Sequence, residues 1–122
     1  MPRPIHFEIP VEKPQRAIDF YSHVFGWKFN KWDGPTDYWL ISTGQAPEPG
    51  IDGGLLLRRD PNQPCVNTVG LENLDQTIET VLTKGGSMAL AKMPVPGVGW
   101  LAYCKDPDGN IFGMMQNDPS AK

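Results

Sequence analysis

The sequence lacks the features that mark several common protein classes. It has only two cysteines in 122 residues, and they form no C-x-x-C pair, which argues against a disulfide framework or a zinc-binding pair. No signal-like N-terminus is present, and no apolar run approaches the roughly 18 residues of a membrane span. Arg58-Arg59 is an isolated basic pair in a chain of net charge −3, so no surface for nucleic acid is expected. We therefore expect a soluble cytoplasmic protein with no nucleic-acid or membrane partner, and we expect both cysteines to be buried thiols.

A repeated pattern organises the chain. The strand pattern of His6–Glu12 and the helical pattern ending at Gly26 recur, after a shift of 60 residues, as Val66–Glu72 and a helical pattern ending at Gly86. Between the two copies lies a polar stretch with two prolines, Asp60–Pro64, which is typical of a linker. The repeat predicts a duplicated unit.

Each half of the sequence has the same predicted order of one strand, one helix and three strands. The first half begins with a strand over residues 5–11, and its helix has Pro14 in the first turn and Gly26 at the end. Further strands are predicted at 27–32, 38–43, 53–59, 65–71, 87–93, 100–105 and 111–116, and a second helix at 74–84. We expect an α+β fold in a single domain over 1–122, with module 1 at about 4–60 and module 2 at about 65–117. These two tandem βαβββ modules should form curved mixed sheets around a cleft, with the helices outside.

The first strand alternates, and this alternation divides its side chains between two faces. His6 and Glu8 share one face, whereas Phe7, Ile9 and Val11 share the other. The apolar side chains are expected to pack under the helix. His6 and Glu8 are then expected to face the open side of the sheet.

Two segments carry a resemblance to a known family. They are His6–Trp27, which contains Ala17-Ile18-Asp19-Phe20-Tyr21, and the turn Asp106-Pro107-Asp108-Gly109. The chain resembles the glyoxalase / bleomycin-resistance / extradiol-dioxygenase superfamily, also called vicinal oxygen chelate proteins. Within it, Gly26-Trp27, Tyr38-Trp39 and the segment 93–97 resemble small glyoxalase-like proteins. The resemblance implies paired βαβββ modules, within one chain or across a dimer, and we expect a homodimer.

The resemblance also allows the family's metal site to be compared with this chain. Metal-dependent members hold a divalent ion at four equivalent strand positions, which correspond here to His6, Gly53, Val66 and Gly113, with Gly53 taken as the repeat mate of Gly113. Only His6 among them has a metal-binding side chain, whereas stable sites need three or more ligands. We therefore expect no metal and no cofactor, which argues against glutathione-linked glyoxalase and ring-cleaving dioxygenase activities.

His6 and Glu8 are the candidate catalytic residues. An imidazole and a carboxylate on one face of a strand can exchange protons with a bound molecule near neutral pH. The alternative is that both are remnants of a metal site and carry out no chemistry.

Other residues are candidates for ligand binding. Tyr38, Trp39 and Trp100 could form an aromatic wall, Arg58 could hold an anion, and Gly113 could leave room for a ligand. The alternative for the aromatic residues is ordinary packing, and for Gly113 a bend in a strand.

The hypothesis favoured by the sequence is a small-molecule-binding protein that lacks the family metal and binds its ligand in the cleft between the modules. The alternative is a metal-independent isomerase, lyase or hydrolase in which His6, oriented by Glu8, moves a proton. A third possibility is an interaction module whose cleft is filled by its own side chains.

Overall fold

The structure, a computed structural model, describes residues Met1–Lys122 and contains two copies of a strand-helix-strand-strand-strand order. Its elements are β1 (Arg3–Val11), α1 (Pro14–Phe25), β2 (Lys28–Lys31), β3 (Tyr38–Ser42), β4 (Asp52–Leu57), β5 (Val66–Leu71), α2 (Leu74–Thr83), β6 (Ser87–Val95), β7 (Gly99–Lys105) and β8 (Ile111–Asn117). The predicted α+β class with two βαβββ repeats is confirmed. Neither helix is long and apolar enough to cross a membrane.

The chain divides into two compact units. The first unit is His6–Cys65, and the second unit is Met1–Ile5 together with Val66–Lys122. The first residues of β1 therefore belong to the second unit, where Ile5 packs over Gly70. A Cβ at Gly70 would lie only 2.8 Å from Cδ1 of Ile5. Because glycine has no Cβ, the Ile5 side chain can pack there.

The strands pair in the same way in both units. In the first unit the order is β2-β3-β4-β1, with β1 parallel to β4 and the other neighbours antiparallel. In the second unit the order is β6-β7-β8-β5, with β5 parallel to β8. A parallel pair needs a crossover connection, which here includes the helix of each unit. Helix α1 contacts β2 and β4, and α2 contacts β6, β7 and β8.

Local sequence explains where the two helices begin and end. Pro14 occupies the first turn of α1, and Gly26 ends it with φ of 74° while its N–H donates to the carbonyl of Ser22. The side chain of Asn73 caps α2 by accepting from the N–H of Gln76. The helices differ in burial: α1 contains no buried residue, whereas Leu74 of α2 is fully buried.

The second unit has a continuous apolar core between its sheet and α2. Its fully or nearly fully buried members are Leu71, Leu74, Ala102, Cys104 and Met114. Cys104 is thus a buried thiol, as expected, and burial raises its pKa above the usual value. Cys65 is exposed, contrary to expectation, because it follows the linker and precedes the first residue of β5.

The strand registers correct one pairing in the repeat. Glu8 lies opposite Gly54 across β1 and β4, and its repeat mate Thr68 lies opposite Gly113 across β5 and β8. The counterpart of Gly113 is therefore Gly54, not Gly53 as the uniform 60-residue shift predicted. Equivalent residues of the last strands of the two copies, such as Gly54 and Gly113, are therefore 59 positions apart rather than 60. A difference of one residue matters because it moves a side chain to the other face of the strand.

Thr68 differs from its mate Glu8 in having no polar partner. Its side chain is 2% exposed, and its hydroxyl forms no hydrogen bond. A buried hydroxyl without a partner lowers the stability of the fold, because it has lost its hydrogen bonds to water without replacing them.

We expect Thr68→Val to raise the free energy of unfolding by about 1–2 kcal/mol, because valine has a similar shape and no hydroxyl to desolvate. Urea denaturation measures the change. Thr77→Val is the control: the hydroxyl of Thr77 donates to the carbonyl of Asn73 at 2.8 Å, so its removal should cost roughly 0.5–1.5 kcal/mol. A loss of stability in Thr68→Val would show that the Thr68 hydroxyl is satisfied.

Candidate functional site

The candidate site lies on the face of the first unit opposite its aromatic cluster. On β1, Phe7 contacts Trp27 with ring centroids 5.8 Å apart, and Trp27 stacks on Tyr21 of α1 at 5.3 Å. Because side chains alternate along a strand, this packing directs His6 and Glu8 to the opposite face. Their placement on one face agrees with the sequence pattern.

Tyr38 joins these two residues into one hydrogen-bonded chain. Its hydroxyl lies 2.8 Å from Nε2 of His6 and donates to Oε2 of Glu8 at 3.0 Å. His6 is half-buried and Glu8 is buried, at 9% exposure. A buried carboxylate requires such a donor, since an unpaired one is costly to desolvate.

The direction of the hydrogen bonds determines the tautomer of His6 in its neutral form. A phenol has one proton, and that of Tyr38 is donated to Glu8, so Nε2 of His6 must be the donor to the phenol oxygen. In the neutral imidazole the other nitrogen, Nδ1, then has a lone pair. His6 can therefore accept a proton or a hydrogen bond from another molecule.

The surroundings of His6 favour this neutral form. Burial lowers the pKa of His6 below the ordinary value of 6.5, and the negative charges of Glu8 and Asp52 oppose part of this shift. Asp52 lies opposite His6 in the β1–β4 register, and its carboxylate accepts from the backbone N–H of Thr43 at 2.9 Å. At neutral pH His6 is therefore an uncharged base beside two carboxylates.

Gly54 provides the space for the Tyr38 hydroxyl. A Cβ at position 54 would overlap the hydroxyl and the adjoining ring carbon of Tyr38. At the neighbouring Gly53, a Cβ would come within 2.6 Å of both the ring and the carbonyl of Phe7. Both glycines are thus required by close approach of other groups, and neither leaves an empty space for a ligand.

The structure places the other candidate residues of the first unit outside the hydrogen-bonded chain. Trp39 follows Tyr38 on β3 and so lies on the opposite face, opposite Leu55, with Lys31 5.8 Å from its ring centroid. Arg58 donates from Nη2 to the carbonyl of Pro10 at 2.9 Å. Tyr38 is therefore the predicted ligand-binding residue that contacts His6 and Glu8.

Two candidate residues belong to the second unit. Trp100 packs against its core, donates from Nε1 to Asp118 at 3.1 Å and has Lys92 4.8 Å from its ring centroid. Gly113 lies opposite Thr68, whose hydroxyl would be 3.0 Å from a Cβ at position 113. Trp100 is thus held by contacts within its own unit.

Sequence reasoning missed one residue of the site, Asp52, and the role of Tyr38, which was expected to offer its ring rather than its hydroxyl. At Gly54 the sequence suggested room for a bound molecule or a facing sheet, whereas the hydroxyl of Tyr38 occupies that space. The period-2 pattern places Asp52 and Gly54 on one face of β4, which is a usable signal. The pairing of Tyr38 with His6, 32 residues away, depends on the strand register and has no local signal.

No group of three or more histidine, cysteine, aspartate or glutamate side chains converges in the chain as a candidate metal site. The donor chemistry of the face around His6 is instead that of one hydrogen-bonded chain, imidazole to phenol to carboxylate. Such a chain can hold a polar group of a ligand or transfer a proton.

We expect His6 to titrate with a midpoint below 6.5, observed through its imidazole signals in NMR spectra. His23, on the exposed last turn of α1, is the other histidine, and His23→Gln assigns the signals. Glu8→Gln should lower the midpoint further, because it removes a negative charge that favours the imidazolium. A midpoint above 6.5 would contradict the assignment of His6 as a neutral base.

The same shift has a consequence for stability. Between the lowered pKa of His6 and 6.5, the unfolded chain binds more protons than the folded one, so stability falls as the pH is lowered through this window. Asp106 and Asp118, whose hydrogen bonds lower their pKa values below 3.8, contribute only at more acidic pH. His6→Gln should therefore lose less stability than the parent between pH 7 and pH 5.

We expect Gly54→Ala to cost roughly 1–3 kcal/mol of stability, because the new methyl group displaces the Tyr38 ring. In a Tyr38→Ala background the same substitution should cost at least about 1 kcal/mol less, since the overlapping ring is absent. Urea denaturation of the four proteins gives the coupling. Additive effects within about 0.5 kcal/mol would show that the two side chains do not compete for one space.

Comparisons with known proteins identify similar sequences and structures. A family model described as Glyoxalase/Bleomycin resistance protein/Dioxygenase superfamily matches residues 3–114. A lactoylglutathione lyase of Arabidopsis thaliana is 30% identical over 95% of this chain, which spans only 44% of that protein's length. A probable lactoylglutathione lyase of Vibrio cholerae is 25% identical over 94% of this chain and 91% of its own length.

Solved structures share the fold at low sequence identity. Methylmalonyl-CoA epimerase of Mycobacterium tuberculosis has a TM-score of 0.71 at 12% identity, covering 95% of this chain and 88% of its own. A Streptomyces coelicolor methylmalonyl-CoA epimerase variant has a TM-score of 0.71 at 14% identity, covering 100% and 99%. At these identities the similarity establishes the fold alone.

Proposed function

Because this chain belongs to the Glyoxalase/Bleomycin resistance protein/Dioxygenase superfamily, we propose that it binds a small molecule at the face carrying His6, Tyr38 and Glu8, without the metal used by metal-dependent members. The observation that carries the proposal is the Tyr38 hydroxyl between His6 and Glu8. In this arrangement the imidazole of His6 and the carboxylate of Glu8 are each hydrogen-bonded to the phenol of Tyr38. These hydrogen bonds require no cation.

The residues at the four family positions support metal-independent binding. A side chain at Gly53 would collide with Phe7, and one at Gly54 would collide with Tyr38. Neither glycine of β4 therefore indicates an empty position where a ligand or metal ligand would lie. Val66 is an apolar buried residue, and Gly113 has no side chain. A divalent ion at His6 would therefore find no further protein ligand at the family positions, whereas a stable site needs three or more ligands, and no step of the proposed chemistry involves one.

The chemistry of the site indicates the kind of group it would hold. Neutral His6 offers a hydrogen-bond acceptor at Nδ1, and the negative charges of Glu8 and Asp52 lie nearby. This combination favours a ligand hydroxyl or another uncharged donor over a ligand carboxylate, since like charges close together are unfavourable. The expected ligand is a small polar molecule with at least one hydroxyl or an acidic C–H bond.

A second function is favoured by the continuity of the hydrogen-bonded chain. Nδ1 of His6 can take a proton from a C–H bond next to a carbonyl, leaving the bonding pair on the substrate as an enolate. The resulting imidazolium keeps its Nε2–H bond to Tyr38, and Glu8 stabilises the positive charge through that phenol. Return of the proton from Nδ1 to a neighbouring atom on the same face of the substrate completes an isomerisation with no net gain or loss of protons.

The names of the relatives agree with this class of reaction without assigning a substrate. The Arabidopsis and Vibrio relatives are named lactoylglutathione lyases, and the similar folds include epimerases. S-lactoylglutathione is therefore a reasonable first probe, along with small hydroxy and keto compounds.

The test compares His6→Ala with the parent protein, using S-lactoylglutathione and a panel of hydroxy and keto compounds in thermal-shift and calorimetric assays without added metal. If the site only binds, the affinity for a detected compound should fall about tenfold, which corresponds to one lost hydrogen bond. If the site catalyses proton transfer, the rate at which the protein exchanges deuterium from heavy water into the C–H bond of a compound should be about 10²–10⁴ times lower in His6→Ala than in the parent. His23→Ala, on the exposed end of α1, is the control and should change neither.

Metal analysis provides an independent check of the proposal. Protein purified without a chelator should contain far less than one divalent ion per chain. A content close to one nickel, zinc, iron or manganese per chain, reduced by His6→Ala, would overturn the metal-independent proposal. Binding that is unchanged in both His6→Ala and Tyr38→Phe would place the ligand elsewhere.

A further inference from the structure

The first unit contains a groove that is separate from the His6 chain. It has a volume of about 410 Å³ and is formed by residues from the end of β1, from α1 and from both ends of the segment 58–65. Its walls include Val11, Ala17 and Phe20, together with Arg16 and Arg58, and the exposed thiol of Cys65. None of His6, Tyr38 and Glu8 lines it. We define these six lining residues as the arginine groove.

We propose that the arginine groove binds an amphipathic organic carboxylate, with its head group at Arg16 and Arg58 and its apolar part along Phe20. The volume lies within the range of about 300–1,000 Å³ typical of small-molecule pockets. Apolar walls with a few placed charges are also typical of such pockets. A planar carboxylate matches the paired N–H donors of a guanidinium.

The positive charges of the groove are available to such a ligand. Arg16 forms no hydrogen bond or ion pair in the structure. Arg58 is fixed by one bond from Nη2 to the carbonyl of Pro10, and its neighbouring acid, Glu12, lies 4.0 Å away with 66% of its side chain exposed. An exposed ion pair of this kind is weak, so most donors of Arg58 remain free to bind an anion. The net charge of the chain is −3, so this positive pair is a local feature.

Phe20 gives the groove an exposed apolar surface. Its side chain is 57% exposed although it lies on α1 beside Tyr21, with ring centroids 5.2 Å apart. Covering its exposed area would favour binding through the hydrophobic effect. An alkyl chain beside the two arginines would provide that cover, which is why the proposal specifies an amphipathic anion rather than a simple inorganic one.

Cys65 allows the occupancy of the groove to be measured directly. It is exposed and lines the groove, whereas Cys104 is fully buried. The rate of reaction of the folded protein with the neutral reagent 4,4′-dithiodipyridine therefore reports on Cys65. Octanoate should slow this reaction in a saturable way, by at least fivefold, whereas octanol and octylammonium at equal concentration should slow it less than twofold.

Substitutions test which side chains hold the carboxylate. Arg16→Gln should raise the octanoate concentration for half-protection by about tenfold, and Phe20→Ala should raise it to a similar extent. Arg59→Gln is the matched control, because Arg59 neighbours Arg58 but does not line the groove, and it should leave protection unchanged. His6→Ala should also leave it unchanged, which separates this site from the proposed function above.

Several results would overturn the proposal. Equal protection by octanol would show that charge is not recognised, and equal loss in Arg16→Gln and Arg59→Gln would show that only the overall charge matters. Stronger protection by inorganic phosphate than by octanoate would replace the amphipathic carboxylate with a simple anion. If octanoate gives no protection at concentrations up to about 10 mM, any dissociation constant is weaker than on the order of 10 mM. That result would overturn the proposal.

Discussion

The hydrogen bond from Tyr38 to Glu8 determines how the open face of the first unit is built. Glu8 is a carboxylate with only 9% exposure, and it lies on the face of β1 opposite the aromatic rings, so it has little contact with water. A donor must therefore come from a neighbouring strand, and the phenol of Tyr38 provides it at 3.0 Å. This one contact commits the phenol proton, directs the Nε2–H of His6 toward the phenol oxygen, and requires a glycine at position 54.

The two units show how one connectivity can carry different chemistry. Both have a parallel pair of strands joined through a helix and two antiparallel strands, and Glu8 and Thr68 are equivalent in register. In the first unit the glycine opposite this position makes room for a tyrosine hydroxyl, whereas in the second unit Thr68 remains without a partner. The duplicated fold has therefore kept its backbone while its polar side chains diverged.

Most of the fold could be predicted from the sequence because its signals are local. Alternation along β1, Pro14 and Gly26 at the ends of α1, and Asn73 at the start of α2 each act over a few residues. The site was less predictable because its contacts depend on register. A one-residue difference between the copies moved the mate of Gly113 from Gly53 to Gly54, and the same alternation that groups His6 with Glu8 separates Trp39 from Tyr38.

The lack of buried residues in α1 has a consequence for the motions of this protein. Since none of its residues is buried, the helix can separate from the sheet without opening a sealed core, and its backbone amides should exchange with solvent through local opening events. The amides around Leu74 on α2 should exchange only when the second unit unfolds. The two copies of one architecture should thus differ in their cooperativity, and the helix expected to open more readily, α1, is the one that forms a wall of the arginine groove.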